Sequence, residues 1–362
     1  MQTREIATHL AEAARCFPWL GPVSAEGLMG LIRAELGHEE AFDRFLPYGG
    51  HHARALGPCM ILHIISGNTP HAGLQSLIRG LLIGAYNWCK IPSGGLPEIA
   101  AFRERLPLEL ARRVMIATEL PGDWLDQADA VIVFGRDETV EHFRKRVRAD
   151  QRFLPHAHRI SFGVVFDDPA FASVADAAKS ASLYNQQGCL SPHLYYVAPK
   201  IAREYAERLA GAMADFEKET PRGPVSLAEQ GEIAALRKDF AFRTAIANGG
   251  DAAPAFWESP GSTAWTVLYD PEPQFMASCL NRVIYVKPLP DNLPKAVIRV
   301  YKHLSTVGIF PATPENAARV DLTGASRICP IGQMQFPPLT WHHDAQPVLT
   351  PLVHWVDFEE GS

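Results

Sequence analysis

The chain has 362 residues, 47% of them hydrophobic and 20% charged, with a formal net charge of −6. That length accommodates two moderate domains, each with its own core, and the composition is that of an ordinary globular protein. The acidic balance excludes a nucleic-acid footprint, and no apolar run reaches the length of a membrane span. Cys16, Cys59, Cys89, Cys189, Cys279 and Cys329 are scattered and form no CxxC pair. The polar N-terminus MQTREIATHL lacks the layout of a signal peptide. Free thiols and a reducing, cytoplasmic location are the expectation.

Ile6, Leu10, Ala13 and Ala14 recur at helical spacing, as do Leu28, Leu31, Ile32 and Leu36, so the first part of the chain is predicted helical. Cys59 to Ile65 is an apolar, β-branched run that suits a buried strand. Ser66-Gly67-Asn68-Thr69-Pro70 breaks it, and Gly73 to Gly84 reads as an amphipathic helix. Asn87 to Ile91 is the next strand, stopped by Pro92-Ser93-Gly94-Gly95. The order repeats through strands at Val114 to Ala117 and Ala130 to Phe134, the latter closed by Gly135. Such alternation predicts an α/β fold with a mostly parallel sheet, which binds ligands outside the carboxyl ends of its strands. A second block starts near Arg159, with strands at Ile160 to Phe166 and Leu194 to Ala198, and helices at Ala170 to Ser182 and Ile201 to Lys218. Thr220 to Pro260 reads as a looser stretch, followed by a strand at Arg282 to Val286 and a helix at Pro294 to Leu304.

Asn185-Gln186-Gln187-Gly188-Cys189-Leu190-Ser191-Pro192 is the most suggestive loop. A thiolate attacks acyl carbons readily, glycine beside it admits close approach, and backbone N–H groups can hold an oxyanion. The commoner fate of a cysteine is a small buried apolar residue, and the loop alone leaves both open. Asn68 can donate its amide to an oxyanion or simply form an Asx turn. No GxGxxG fingerprint is present, and Lys90 with Ser93 can face a ribose or phosphate or simply solvent. His156, His158, His342, His343 and Asp344 carry ligand chemistry, but without an HExxH or a compact cysteine pair no metal is expected. The absence of a GxSxG elbow disfavours a serine hydrolase.

Taken in order, these segments resemble the aldehyde dehydrogenase superfamily, and within it the LuxC-type acyl-CoA reductase family. SGNTP at Ser66 is similar to that family's SGN-x-P segment, and Lys90 stands where the superfamily has the lysine of its KPS motif. VIVFGRDETV resembles the glycine turn beside the cofactor pyrophosphate, PHAHRISFGVVF the G-H-[KR]-x-S-F segment, and QQGCLSPHLYYV the nucleophile motif. RICPIGQMQFPPLTWHHD resembles the C-terminal R-x-x-x-x-G-x-M and W-x-x-D pattern. The resemblance implies an aldehyde-dehydrogenase-like fold: a Rossmann-variant cofactor domain, an α/β catalytic domain, and a sheet extension used in homo-oligomers. It places an N-terminal helical segment and the NADP(H)-binding domain at 1–158, the catalytic domain at 159–325, and a segment returning to the active site and oligomer sheet at 326–362. It implies Cys189 as nucleophile, Asn68 at the oxyanion, and Ser66, Lys90, Ser93 and Gly135 at the cofactor.

Three departures sharpen the reading. Where aldehyde dehydrogenases carry the glutamate that activates water, this chain has LPHAHR, with no carboxylate. That fits thioester reduction to an aldehyde better than aldehyde oxidation; His158 then either supplies a proton or only bonds the backbone. NAD-preferring relatives place an acid where Ser93 stands, so NADP(H) is favoured, with NAD(H) the alternative. The superfamily's second glutamate, which orients the nicotinamide ribose, has no counterpart in Ser278 to Arg282. The expected activity is therefore reduction of an acyl-CoA or acyl-carrier-protein thioester through a Cys189 acyl-enzyme. An NAD(P)-dependent aldehyde or semialdehyde dehydrogenase is one alternative; a non-catalytic partner in an acyl-transfer complex is another.

Overall fold

The structure is a computed structural model describing residues 1–67, 69–247 and 253–360. It divides into two compact units, Met1–His158 with the segment from Phe336 onward, and Arg159–Gln335.

The first unit is built on a five-stranded sheet in the order Val114–Ala117, Tyr86–Lys90, Met60–Ile64, Ala130–Phe134, Arg152–His156. Every pairing is parallel. The chain enters at the central strand, builds outward to one side, then crosses to the other. The switch point therefore lies between Met60–Ile64 and Ala130–Phe134, where sheets of this kind open a ligand crevice. Helix Pro70–Leu82 carries out the first crossover, and Leu74, Leu77, Ile78 and Leu81 on it are fully buried. Each such side chain contributes about 1.5–3 kcal/mol by leaving water. The polar residues of this helix are buried too. Gln75 Nε2 donates to the Pro337 carbonyl (2.9 Å) and Arg79 Nη2 to that of Leu339 (2.6 Å), which ties the C-terminal segment to the unit. Burial pulls the Arg79 guanidinium down to about 10.

The helices expected near the N-terminus are present at Thr3–Ala14 and Ala25–Leu36. The second is capped by the Ser24 hydroxyl, which accepts from the Gly27 N–H (3.0 Å), and ends at Gly37 in the left-handed conformation (φ 84°). Beyond them the chain forms a hairpin, Leu46–Tyr48 with His51–Leu56, that the apolar periodicity did not announce. Strand His354–Phe358 adds to it antiparallel, completing a three-stranded sheet.

The second unit is a seven-stranded sheet ordered Ala255–Glu258, Thr266–Tyr269, Val283–Pro288, Pro192–Val197, Ile160–Val165, Leu304–Phe310, Arg327–Pro330. Only the first pair is antiparallel. The adjacent strands Ile160–Val165 and Pro192–Val197 are buried along their whole length, so they read as continuous apolar runs. The stretch expected to be loose contains a strand, Ala255–Glu258, and a helix, Leu227–Ile246. Its apolar residues are spread around the axis and only Ile233 and Phe240 are buried, so periodicity hides the helix. The legible signal was its start: Ser226 and Glu229 form a capping box, each bonding the other's backbone N–H. The helix expected from Pro294 shrinks to Leu293–Val297.

Near the carboxyl ends of two neighbouring strands, Lys287 is wholly buried and donates to Asp270 Oδ2 (2.7 Å) and to the Glu272 carbonyl (2.8 Å). Arg243 reaches the other oxygen of Asp270 (3.0 Å). Burial pushes Lys287 down. The same burial pushes Asp270 up, but its bond to Lys287 holds the carboxylate below its usual range on balance.

Candidate active site

In the second unit, Cys189 is half-buried on the loop that leads into the central strand Pro192–Val197. The other thiols are poor candidates where burial acts on them: Cys89 is pushed up to about 12, Cys329 up to about 11, and Cys279 upward as well. The loop has an uncommon backbone. Tyr184, Asn185 and Gln186 all have positive φ (52°, 52° and 62°). Each such non-glycine residue costs on the order of 1–2 kcal/mol, and strain of this kind gathers at functional sites. The Ser161 hydroxyl donates to the Cys189 carbonyl (2.7 Å) and accepts from the Thr306 N–H (3.1 Å). The Ser191 N–H closes a turn on the Gly188 carbonyl (3.0 Å), while Gln335 Nε2 donates to the Ser191 hydroxyl (2.8 Å) and the Ser180 carbonyl (2.8 Å). Residue types alone did not single out Ser161, Ser191 or Gln335; their signal is the fold that brings them to the loop.

In the first unit, Ser66, Lys90, Ser93 and Gly135 all lie at or just past the carboxyl ends of sheet strands. A side chain at Gly67 would meet Pro92 Cγ at 2.9 Å, so glycine lets the turn after the central strand pack on the turn after its neighbour. Asn68 lies outside the described residues. The helix that follows begins at Pro70, and Thr69 gives it no side-chain cap; helix starts of this kind favour anions. Lys90 is half-buried and Ser93 exposed; among the described residues the Lys90 ammonium has no ion-pair partner. Arg136, beside Gly135, is also exposed and unpaired among the described residues, a cation that the sequence reading passed over. A dinucleotide pyrophosphate fits this edge chemically: the cations of Lys90 and Arg136 and the hydroxyls of Ser66 and Ser93.

The histidines separate. His158 is exposed, and its backbone N–H donates to Asp137 Oδ1 (3.1 Å). His156, at the end of the edge strand, pairs through Nδ1 with Asp344 Oδ2 (2.8 Å). Its ring is the second of a column: Phe134 stacks on it at 4.6 Å, it stacks on His343 at 4.2 Å, and His343 stacks on Trp341 at 4.6 Å. Ligand atoms of His156, His343 and Asp344 lie within 4.8 Å of one another. An ion about 2.0–2.1 Å from each nitrogen must lie near the plane of both rings. Planes inclined by only 26° and separated as a stack converge far beyond that reach. The arrangement is an aromatic column with a carboxylate on its side.

The family model described as Acyl-CoA reductase (LuxC) matches residues 19–355. The chain belongs to this family. Among curated relatives, it is 24% identical over 387 residues to the long-chain acyl-protein thioester reductase of Aliivibrio fischeri, covering 98% of this chain and 77% of that one. The reductase of the same name from Vibrio harveyi is 22% identical over 362 residues, covering 94% of this chain and 73% of the relative. Solved aldehyde dehydrogenases share the fold. The NAD-dependent benzaldehyde dehydrogenase of Corynebacterium glutamicum superposes with a TM-score of 0.64 at 13% identity, covering 99% of this chain and 86% of the other. An aldehyde dehydrogenase of Brucella melitensis biovar abortus 2308 gives 0.67 at 12% identity, covering 100% and 86%. LuxC membership and an aldehyde-dehydrogenase-like α/β fold, both expected from the motifs, are thus established, and the chain is an oxidoreductase of that type. Among the described residues no helix is long and apolar enough to cross a membrane.

Proposed function

We propose that this chain is an NADP(H)-dependent acyl-thioester reductase that takes its acyl group from acyl-CoA or an acyl-carrier protein and releases an aldehyde. The observation that carries the reading is Cys189: a half-buried thiol on a strained, side-chain-braced turn, in a chain of the LuxC family. Cys189 attacks the thioester carbon and expels the CoA or carrier thiol, leaving an acyl group on its sulfur. The Asn68 amide and the Cys189 backbone N–H hold the oxyanion in this reading. Ser66, Lys90, Ser93 and Gly135 would hold a reduced nicotinamide cofactor, which would supply the hydride that turns the acyl-enzyme into a thiohemiacetal on Cys189. Collapse of that adduct returns the Cys189 thiol and frees the aldehyde; His158 supplies the single proton consumed.

Reduction is favoured over oxidation by the carboxylates. Residues Arg152 to Arg159 contain none, while Asp137 accepts from the His158 N–H and Asp344 from His156. The stretch where aldehyde dehydrogenases carry the water-activating glutamate thus offers no carboxylate for that task. Ser93 is exposed and uncharged, which suits a 2′-phosphate, so NADPH is preferred to NADH. A homo-oligomer belongs to the same reading: strand His354–Phe358 is exposed and carries Trp355, Val356 and Phe358 on the edge of its sheet.

Intact-mass measurement after mixing with a panel of acyl-CoAs and acyl-carrier proteins, without NADPH, tests the proposal. An adduct of acyl mass on the wild-type chain, absent from Cys189→Ala, is expected and its mass names the acyl group. A Cys189→Ala protein that reduces acyl thioester at the wild-type rate would sink it.

A further inference from the structure

A second left-handed triplet faces the first. Leu280, Asn281 and Arg282 have φ of 63°, 55° and 65°, immediately before the strand Val283–Pro288, which lies beside Pro192–Val197. Two segments with this uncommon backbone are bound to each other: the Asn281 N–H donates to the Asn185 carbonyl (3.1 Å), and Gln187 Nε2 donates to Asn281 Oδ1 (2.9 Å). The fully buried Gln186 makes the tighter joint. Its amide nitrogen donates to the carbonyls of Pro192 (2.7 Å) and Val283 (2.9 Å), and its oxygen accepts from the Val283 N–H (3.0 Å).

The register explains why a side chain is needed there. The first paired residues of the two strands are Leu194 and Tyr285, two positions beyond Pro192 and Val283. Proline brings no N–H, so the ladder cannot continue backward through it. Gln186 completes the missing rung from the loop that carries Cys189. Asn281 is anchored in turn: its carbonyl accepts from Arg222 Nη1 (3.2 Å) and its amide nitrogen donates to Glu229 Oε1 (3.2 Å). Arg282, also buried, pairs with Glu217 and donates through Nε to the Ser182 carbonyl (3.1 Å).

We infer that Gln186 and Asn281 are positioning residues that fix the direction of the Cys189 sulfur for attack on the thioester, a role that rests on the reductase reading above. The stretch that lacks the superfamily's ribose-binding glutamate is thereby given a different task, bracing the nucleophile.

The test compares full-length Gln186→Ala, Asn281→Ala, Asn281→Gly and Asn281→Asp for the rate of Cys189 acylation by an acyl-CoA that modifies the wild type. Alkylation by iodoacetamide, thermal midpoint and KM for NADPH are measured alongside. Misaimed groups lose roughly 10- to 100-fold in rate while small reagents still reach them. Both alanine variants are expected to acylate at least about tenfold more slowly, with alkylation and KM within about threefold of wild type. Asn281→Gly tolerates the backbone but lacks the amide, so it should be as slow as Asn281→Ala. Asn281→Asp keeps the acceptor for Gln187 and should recover part of the rate. Should the alanine variants fail to fold, Gln187→Ala removes the bond to Asn281 from a half-buried position and should be several-fold slow. Wild-type acylation rates in the folded variants, or full recovery in Asn281→Gly, overturn the inference alone. A wild type that acquires no acyl adduct with any thioester overturns the reductase reading, and this inference with it.

Discussion

The two units carry different parts of the proposed reaction and shape them by different means. In the first, Ser66, Lys90, Ser93 and Gly135 sit at or just past the carboxyl ends of parallel strands, and a glycine contact between two turns shapes the edge. In the second, the proposed nucleophile Cys189 sits before a central strand, at its amino end, on a loop of unfavourable dihedral angles held by Ser161, Gln186, Gln335 and Asn281. A cofactor-binding edge can be made of backbone and a few charges, because it only has to hold. A nucleophile has to be aimed, and in the inferred role of Gln186 and Asn281 that aim comes from buried side-chain amides.

The comparison can be broken at several points. Cys189→Ala should lose at least about 10³-fold of thioester reduction while NADPH binding, followed by fluorescence, stays intact. A variant that lost nucleotide binding equally would erase the division of labour. Asp270→Ala strands the buried Lys287 ammonium and should cost about 3–5 kcal/mol, read as a fall in the denaturant midpoint.

His63 in the first unit is buried between Ser76 (2.9 Å) and Asn87 (2.9 Å), and burial lowers it to about 4 from 6.5. The unfolded chain takes up a proton first, so the stabilisation from the neutral ring is complete above about pH 6.5 and is lost as pH falls toward about 4. The loss approaches ~3 kcal/mol. Stability measured across that interval in wild type and His63→Gln should show the slope shrink in the variant; equal slopes would contradict the assignment. Smallest in effect, Lys90→Ala should raise KM for NADPH about tenfold with Cys189 acylation unchanged, and Ser93→Asp should shift preference toward NADH by a similar factor.

How much of this was legible differs between the units for the same physical reason. The parallel strands Met60–Ile64 and Ala130–Phe134 are buried on both faces, so their residues advertise them, and Gly67 or Gly135 marks where each ends. The motif around Cys189 was also readable, as was the absence of a carboxylate between Arg152 and Arg159. The helix Leu227–Ile246 was not, because it buries only Ile233 and Phe240 and the rest of its surface is mixed. The bracing of Cys189 was not readable either. Gln186 and Asn281 lie 95 positions apart and meet only because two neighbouring strands begin side by side. Tyr184-Asn185-Gln186 and Leu280-Asn281-Arg282 each carry one residue prone to the left-handed region, Asn185 and Asn281, but without glycine nothing in them announces three such residues in a row. The pairing of His156 with Asp344, rather than a role for either alone, is a product of the C-terminal segment's return.

That return has a consequence for how the protein is made. The second unit is one uninterrupted run, Arg159–Gln335, while the first is completed only by residues from Phe336 onward. On the ribosome, where domains fold as the chain emerges, the second unit has all its strands available before the first can close. Until Pro337 and Leu339 arrive, Gln75 and Arg79 lack the carbonyls they bond, and Glu35 lacks the N–H groups of Val348, Leu349 and Thr350 that it accepts at 2.8–2.9 Å. The first unit, although synthesised first, is completed only when the C-terminal segment arrives.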